Sequence, residues 1–139
     1  MRSRAFSVPL ATAALIGGVT LGATPAQAAG EDCPSDFVCL YEDTGYNGLR
    51  HDFRGRLGAI QLNAVLNGMA NDRTSSIVNN TNLVERFYQN YDQGGKYIKL
   101  YPGWAAADLR RVTIYNADGS YFGVNTFNDR ISSFNGSYN

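Results

Sequence analysis

Two nearly identical hexapeptides carry the residues of this chain best suited to chemistry. Residues 71–76 read Asn-Asp-Arg-Thr-Ser-Ser and residues 128–133 read Asn-Asp-Arg-Ile-Ser-Ser, so one position differs. Each copy brings amide, carboxylate and hydroxyl oxygens together, and oxygen-only ligand sets suit hard cations, calcium above all. The alternative is a pair of Asx and Ser turns that lead into strands, because the same residues dominate turns. The repetition within a short chain favours a repeated metal-binding loop.

The sequence offers little material for catalysis. His51 is the only histidine, and it stands within a predicted strand, where a packed or surface role is expected. Without a second histidine, and with a cysteine pair prone to disulfide formation, Ser-His-Asp and Cys-His arrangements lack partners. No Walker or dinucleotide-binding motif is present. We therefore expect that the protein is not an enzyme.

The N-terminal residues have the pattern of a secretory signal peptide. Two arginines stand near the start, residues 8–21 are apolar, and residues 26–28 read Ala-Gln-Ala, a small-x-small cleavage signal. The apolar run is short for a membrane span. We expect residues 1–28 to be the signal peptide and residues 29–139 to form one secreted, extracellular domain.

The charge balance limits the classes of binding partner, and the cysteine content indicates the redox compartment. Lysines and arginines number 12 and so do the acids, with no basic stretch, so neither nucleic acid nor an anionic membrane is an expected partner. Cys33 and Cys39 are the only cysteines, and in an exported chain we expect them to form a disulfide worth about 2 kcal/mol. A metal or redox role is the weaker alternative, because two cysteines cannot complete a zinc site unaided.

Strand signals dominate the rest of the chain. Short segments rich in β-branched and aromatic residues are separated by Gly, Asn, Asp and Pro, which predicts an all-β fold. The predicted strands are 37–42, 50–54, 76–79, 84–89, 97–101, 111–115 and 132–135. Helical signals are weak, and residues 57–69 and 104–109 are expected to hold a turn or two of helix each.

The chain repeats itself beyond the hexapeptides. Residues 41–48 align with residues 88–95, and the second half is longer between this segment and its hexapeptide. We place the extra residues at 114–122, where Asn-Ala-Asp-Gly at 116–119 predicts a hairpin turn. Duplication of a strand-turn-strand unit predicts two packed Greek keys that share one core.

These repeated residues resemble the βγ-crystallin Greek-key signature in its calcium-binding variant. The signature is an aromatic, four residues, a second aromatic, any residue and a glycine, followed by the hexapeptide; residues 41–48 match it fully. In residues 88–95, Gln93 stands where the second aromatic is expected. The resemblance covers essentially the whole mature chain and implies a βγ-crystallin-like β-sandwich of two Greek keys. The first key would span about 33–82 and the second about 83–139.

The resemblance also implies a ligand set for about two calcium ions. In calcium-binding relatives, the second Asx side chain and nearby backbone oxygens of one motif meet the fifth-position hydroxyl of the other. A backbone carbonyl just after the first aromatic completes each set with water. The implied metal-binding residues are Glu42, Asn71, Asp72, Ser75, Gln89, Asn128, Asp129 and Ser132. Few formal charges surround each site, so we expect modest affinity.

A second resemblance concerns the N-terminal end of the domain. Residues 33–41, Cys-Pro-Ser-Asp-Phe-Val-Cys-Leu-Tyr, resemble the opening of secreted actinobacterial proteins grouped as peptidase inhibitor family I36, which share the crystallin fold. The resemblance implies a secreted protease as partner. The characterised member presents its reactive loop within a second disulfide, for which this chain has no cysteines.

Two functions therefore remain open for a calcium-binding, monomeric domain. The first is inhibition of a peptidase by occupying its cleft, with residues 116–122 as the candidate loop. The second is a calcium-stabilised structural, cell-surface or carbohydrate-binding module without inhibitory activity. Exposed aromatic residues would serve the second function, and Tyr91, Tyr101 and Tyr121 are the candidates, although half-buried sheets use the same residues for cross-strand packing.

Overall fold

The computed structural model describes residues 32–61 and 70–138, so the expected signal peptide and most of the expected helical segment at 57–69 lie outside the described residues. Within these two ranges the elements are strands, apart from a 3-10 turn at Tyr91–Gln93, which confirms the all-β prediction. The strands are β1 (Phe37–Asp43), β2 (Asn47–Arg54), β3 (Gly58–Gln61), β4 (Ser76–Asn80), β5 (Val84–Tyr88), β6 (Tyr97–Leu100), β7 (Ala105–Ala106), β8 (Val112–Tyr115), β9 (Tyr121–Asn125) and β10 (Ser133–Ser137).

The strands form two antiparallel sheets that exchange strands between the repeats. One sheet has the order β2-β1-β4-β7 and the other the order β10-β5-β6-β8-β9. β7, from the second half, pairs with β4 of the first half. In return, Leu57, next to β3, forms a parallel bridge with Gly136 of β10. Each half therefore places a strand beside the last strand of the other half.

In the second half, one feature differs from the sequence-based expectation and another confirms it. Residues 104–109 contain β7 rather than helix, because Ala105 pairs with Val78 and Ala106 with Ile77, and this pairing overrides a weak local preference. The extra segment forms the β8–β9 hairpin, which lengthens the second sheet to five strands. The turn predicted at 116–119 is confirmed, since the N–H of Asn116 donates to the carbonyl of Ser120 at 2.9 Å.

The main core lies between the sheets. Its buried side chains are Val38, Leu40, Phe53, Ile60, Ala70, Ile77, Phe87, Ile98, Leu100, Leu109, Ile114, Phe127, Ile131 and Phe134. The Phe134 ring lies 5.4 Å from that of Phe53 and 5.4 Å from that of Phe87, so it joins β2 to β5 across the interior. Each fully buried side chain of this size contributes about 1.5–3 kcal/mol.

A smaller cluster seals the outer side of the first sheet. It contains the predicted disulfide, Cys33–Cys39, which is confirmed, together with Tyr41 and Val78. Asn80 donates its side-chain amide to the carbonyl of Cys33 at 2.7 Å. The disulfide therefore holds the start of the domain against β1 and β4.

Within residues 32–61 and 70–138, no helix is long and apolar enough to cross a membrane.

One carboxyl group is buried in this apolar interior. Glu85 on β5 is 1% exposed, and neither carboxylate oxygen has a hydrogen-bond partner. A Cβ on Gly136 would lie 2.8 Å from its Oε1, so the carboxyl group fits only against a glycine. Burial raises the pKa of Glu85 to about 7, and the nearby Thr81 hydroxyl lowers it to a lesser extent.

Candidate metal centre between the two repeats

The two hexapeptides meet through reciprocal backbone bonds. The N–H of Asp72 donates to the carbonyl of Ile131 at 3.0 Å, and the N–H of Asp129 donates to the carbonyl of Thr74 at 3.0 Å. Both aspartates adopt the left-handed backbone conformation, with φ of 51° and 53°, which Asp and Asn tolerate better than most residues. The shared local sequence thus gives the same loop twice, and the two loops bind each other.

The side chains cross between the repeats in the same reciprocal way. Ser132 Oγ donates to Asp72 Oδ1 at 3.1 Å, and Ser75 Oγ donates to Asp129 Oδ1 at 3.4 Å. The structure therefore brings together the second-position carboxylate of each loop and the fifth-position hydroxyl of the other. These are oxygen atoms of the type that calcium takes as ligands.

The asparagine that begins each loop donates a hydrogen bond to the aspartate that follows it, while its own side-chain oxygen has no partner. Asn71 Nδ2 donates to Asp72 Oδ2 at 2.8 Å, and Asn128 Nδ2 donates to Asp129 Oδ2 at 2.6 Å. The Oδ1 atoms of both asparagines are buried and have no hydrogen-bond partner. An unsatisfied buried polar group costs about 1–3 kcal/mol, and a cation would satisfy it. The donor set fits an oxygen-preferring cation.

The backbone places the two predicted carbonyl ligands beside these loops. The N–H of Ser75 donates to the carbonyl of Tyr41 at 2.8 Å, and the N–H of Ser132 donates to the carbonyl of Tyr88 at 3.0 Å. The residues predicted to supply carbonyl ligands follow these tyrosines in the sequence. Within the described ranges, no three His, Cys, Asp or Glu side chains converge as a metal cluster, so amide, hydroxyl and backbone oxygens would have to supply much of the coordination.

The surroundings of the two carbonyl positions carry opposite charge. Glu42 lines an open depression with Asp43, Asp72 and Asp129. Arg73 lies at the same depression, and its Nε is 3.4 Å from Glu42 Oε1. One end of the candidate centre is therefore strongly acidic.

The other end is basic. Gln89 lines a separate pocket with Lys96 and Arg130, and none of the described residues that line this pocket is a carboxylate. The structure thus places Gln89 beside Ser132 through the backbone, but its side-chain surroundings differ from those of Glu42. A cation at the Gln89 end would meet a less favourable field than one at the Glu42 end.

The sixth-position serines have a role that sequence reasoning missed. Ser76 Oγ donates to the carbonyl of Asp43 at 2.6 Å and accepts from the N–H of Tyr46 at 3.0 Å. Ser76 is fully buried, and it ties the folded-over β1–β2 hairpin to the end of the first loop.

Ser133 repeats the arrangement in the second half. Its Oγ donates to the carbonyl of Asn90 at 2.7 Å and accepts from the N–H of Gln93 at 3.1 Å. The sequence signal for this role was that both hexapeptides have serine at the sixth position. The hydroxyl is a structural group that positions the ligand-bearing loop.

The motif glycines are required by close packing. Gly48 and Gly95 have φ of 77° and 76°, in the region that glycine adopts at no steric cost. A Cβ on Gly48 would lie 2.7 Å from Asp43 Oδ2, and one on Gly95 would lie 2.8 Å from Asn90 Nδ2. Glycine therefore allows both hairpins to fold over in the same way.

The side-chain contacts that hold the folded-over hairpin differ between the two halves. In the first half the rings of Tyr41 and Tyr46 meet edge to face, with centroids 5.8 Å apart. In the second half Gln93 accepts through Oε1 from Asn135 Nδ2, and Tyr88 donates its hydroxyl to Asn135 Oδ1 at 3.4 Å. A polar network has replaced the aromatic pair, and the hairpin keeps its shape.

The β8–β9 hairpin presents an exposed apolar surface at the edge of the second sheet. Tyr121 is 65% exposed, and Phe122 and Val124 are also exposed. The ammonium group of Lys96 lies 3.3 Å from the centroid of the Phe122 ring, an attractive contact that holds the ring in place. The hairpin is therefore a strand pair with exposed aromatic side chains.

The other aromatic residues divide between packing and exposure. The Tyr97 ring packs between those of Tyr88 and Tyr115 on neighbouring strands, with centroids 5.3 and 5.5 Å apart, which is ordinary cross-strand packing. Trp104 is 58% exposed and meets the half-buried Tyr101 ring at 5.1 Å.

Comparison with known proteins identifies one family. The family model described as peptidase inhibitor family I36 matches residues 26–100. The matched segment includes the disulfide, β1–β6 and the first hexapeptide, and it ends before the β8–β9 hairpin. No curated protein gave a significant match.

Solved structures show the fold. A domain solved in work on the evolution of the eye lens beta-gamma-crystallin domain fold is 20% identical, with a TM-score of 0.57, covering 76% of this chain and 90% of that chain. The beta gamma crystallin from Ciona intestinalis is 22% identical, with a TM-score of 0.52, covering 73% and 99%. The N-terminal domain of protein S is 18% identical, with a TM-score of 0.52, covering 73% and 96%. The predicted βγ-crystallin-like sandwich is confirmed.

Proposed function

Because the chain belongs to peptidase inhibitor family I36, we propose that it is a secreted protein that binds and inhibits a peptidase, and that calcium joins its two repeats. Membership of an inhibitor family indicates a protein that acts by binding rather than by catalysis. The disulfide between Cys33 and Cys39 is compatible with an extracellular location.

The calcium proposal rests on the unsatisfied oxygens at the junction of the repeats. The residues that would hold the ions are Glu42, Asn71, Asp72, Ser75, Gln89, Asn128, Asp129 and Ser132. Calcium would supply positive charge to the facing carboxylates and partners to the buried Oδ1 atoms of Asn71 and Asn128. Ligand at a hundred times its dissociation constant adds about 2.7 kcal/mol per independent site.

Calorimetry in chelator and then in millimolar calcium tests this part of the proposal. Each kcal/mol moves the midpoint of a domain of this size by roughly 4 °C or more, so we expect a rise on the order of 10 °C. An unchanged midpoint, together with no heat of calcium binding, would show that the loops are structural turns.

The β8–β9 hairpin is the surface that we propose enters the peptidase cleft. It is the segment that the second repeat has in addition to the first, and it carries Tyr121 and Phe122 outward on paired strands. An ordered strand loses little further conformational entropy on binding. Because this chain lacks a second disulfide, the pairing of β8 with β9 would hold the hairpin in place.

A peptidase panel tests the inhibitory surface. Thermolysin-like and subtilisin-like enzymes should be assayed at saturating calcium, so that chelation cannot mimic inhibition. Replacing residues 116–122 by a two-residue Asn-Gly turn should abolish inhibition and leave calcium-dependent melting unchanged. The matched control is Tyr91→Ser, because Tyr91 is 54% exposed but lies outside the hairpin. Equal inhibition by the shortened protein would place the inhibitory surface elsewhere.

A second function is favoured by the exposed Trp104 beside Tyr101. If the protein spares every peptidase, a calcium-stabilised module that binds carbohydrate through this pair is the better proposal. Exposed aromatic rings offer apolar faces on which sugar rings can pack. Retention of the protein on insoluble polysaccharides, lost in Trp104→Ala and kept in Tyr91→Ser, would support this function over inhibition.

A further inference from the structure

The two repeats differ at one internal ion pair. In the first half, the carboxylate of Glu42 lies 3.4 Å from the Nε of Arg73. The same two motif positions in the second half are Gln89, which also follows the motif tyrosine, and Arg130, which is also third in its hexapeptide. The arginine is kept in both halves, and the carboxylate that meets it is present in the first half alone.

In the second half, another cation lines the same pocket as Gln89 and Arg130. Lys96 and Arg130 line one pocket of about 170 Å³. Across residues 32–61 and 70–138, neither side chain forms an ion pair or a side-chain hydrogen bond; Lys96 contacts the Phe122 ring. The remaining lining residues are Gln89, Ile114, Phe122, Asn125, Thr126 and Phe127. We refer to this site as the basic pocket.

We propose that the basic pocket binds a carboxylate group from a partner molecule. Arg130 offers a planar guanidinium that suits two-point contact with a carboxylate, and Lys96 adds a second positive charge. The buried side chains of Ile114 and Phe127 line the pocket beside these two cations. The volume is several times that of one water molecule, about 30 Å³, so it accommodates a carboxylate with its adjoining carbon.

The pocket lies at the base of the β8–β9 hairpin, where Phe122 belongs to both. A protein that contacts the exposed side of the hairpin can therefore place an acidic side chain or a chain terminus in the pocket. Binding of a carboxylate requires neither calcium nor a peptidase. The inference thus goes beyond the proposed inhibition and can be tested without it.

Amide chemical shifts of the isotope-labelled protein provide the test. Calcium is first removed with a chelating resin, because a soluble chelator would itself supply carboxylates. Sodium acetate should shift the amides of Phe122, Asn125 and Thr126 in a saturable way, and sodium chloride at equal ionic strength should not. Equal shifts from acetate and chloride would overturn the proposal.

Variants separate the pocket from general charge effects. Gln89→Glu supplies an internal carboxylate beside Arg130, so acetate binding should fall at least ten-fold. Lys96→Gln and Arg130→Gln should each weaken binding similarly, and they decide the matter if the spectrum shows that Gln89→Glu is misfolded. The matched control is Lys99→Gln, since Lys99 also lies over an aromatic ring, that of Tyr115, but outside the pocket.

Two short peptides distinguish the sources of the carboxylate. One carries an internal aspartate and an amidated end, and the other is neutral except for a free C-terminal carboxylate. The peptide that binds more tightly identifies the source that the pocket accepts. Retention of acetate binding in both Lys96→Gln and Arg130→Gln would overturn the assignment of the pocket.

Discussion

The buried carboxyl group of Glu85 makes the stability of the domain depend on pH. In the unfolded chain this group ionises near pH 4.5, and in the folded chain burial raises its pKa to about 7. Between these values the folded state holds a proton that the unfolded state has lost. The folded state therefore binds more protons, and the free energy of unfolding falls as the pH rises through this window.

The size of the effect follows from the pKa difference. One pKa unit corresponds to about 1.36 kcal/mol, so a shift from 4.5 to about 7 removes about 3 kcal/mol between those pH values. Glu85→Gln keeps the shape of the side chain and cannot ionise. The variant should therefore lose this part of the pH dependence, and its stability relative to the parent should rise between pH 4.5 and pH 7.

Urea unfolding of the parent and of Glu85→Gln, in steps from pH 4 to pH 8, measures the difference. Groups other than Glu85 that titrate in this range contribute to both proteins and cancel in the difference curve. At low pH the free energies of unfolding of the two proteins should differ by a constant. Above pH 7 this difference should have shifted by about 3 kcal/mol in favour of the variant. Parallel curves across the whole range would refute the assignment of a neutral, buried carboxyl group.

Three further outcomes are expected. Ser132→Arg should remove a calcium ligand and place a cation at the site, weakening binding in titration calorimetry; parent-like binding would show that the ligand assignment is wrong. The acidic and basic ends should give two unequal calcium-binding steps, and Glu42→Gln should weaken the tighter one; two identical steps would contradict the charge argument. Ser133→Ala should destabilise the domain by about 1–3 kcal/mol, because Asn90 and Gln93 lose a buried partner; the exposed Ser120→Ala is the control, and equal midpoints in urea would contradict this role.

The contact between the hexapeptides could be predicted from the sequence because its information is local and repeated. Each loop is specified by its own six residues, and the resemblance supplied the reciprocal contact of Asp72 with Ser132 that the structure shows. The sixth-position serines were visible as identical residues, but their hairpin partners lie 33 and 43 residues away. Their role became clear only from the folded arrangement.

Features that depend on contacts between distant strands could not be predicted. β7 forms because Ala105 and Ala106 reach β4, and nothing in the two alanines signals a strand. The basic pocket depends on Lys96, Arg130 and Phe122 meeting after the hairpin folds. Glu85 did carry a signal, since it stands two residues before the buried Phe87 on β5 and therefore faces the same side of the sheet, but a lone glutamate in a strand is usually solvated.

The exchange of strands between the halves makes each half the missing edge of the other. β7 lies against β4, and β3 lies against β10, while residues 81–83 alone connect the halves between β4 and β5. A single cut in that link would leave two fragments, each with an unpaired strand edge and an exposed apolar face. Neither fragment could enclose its own interior, so they should fold only when mixed. The domain is therefore one cooperative unit, although its sequence reads as two.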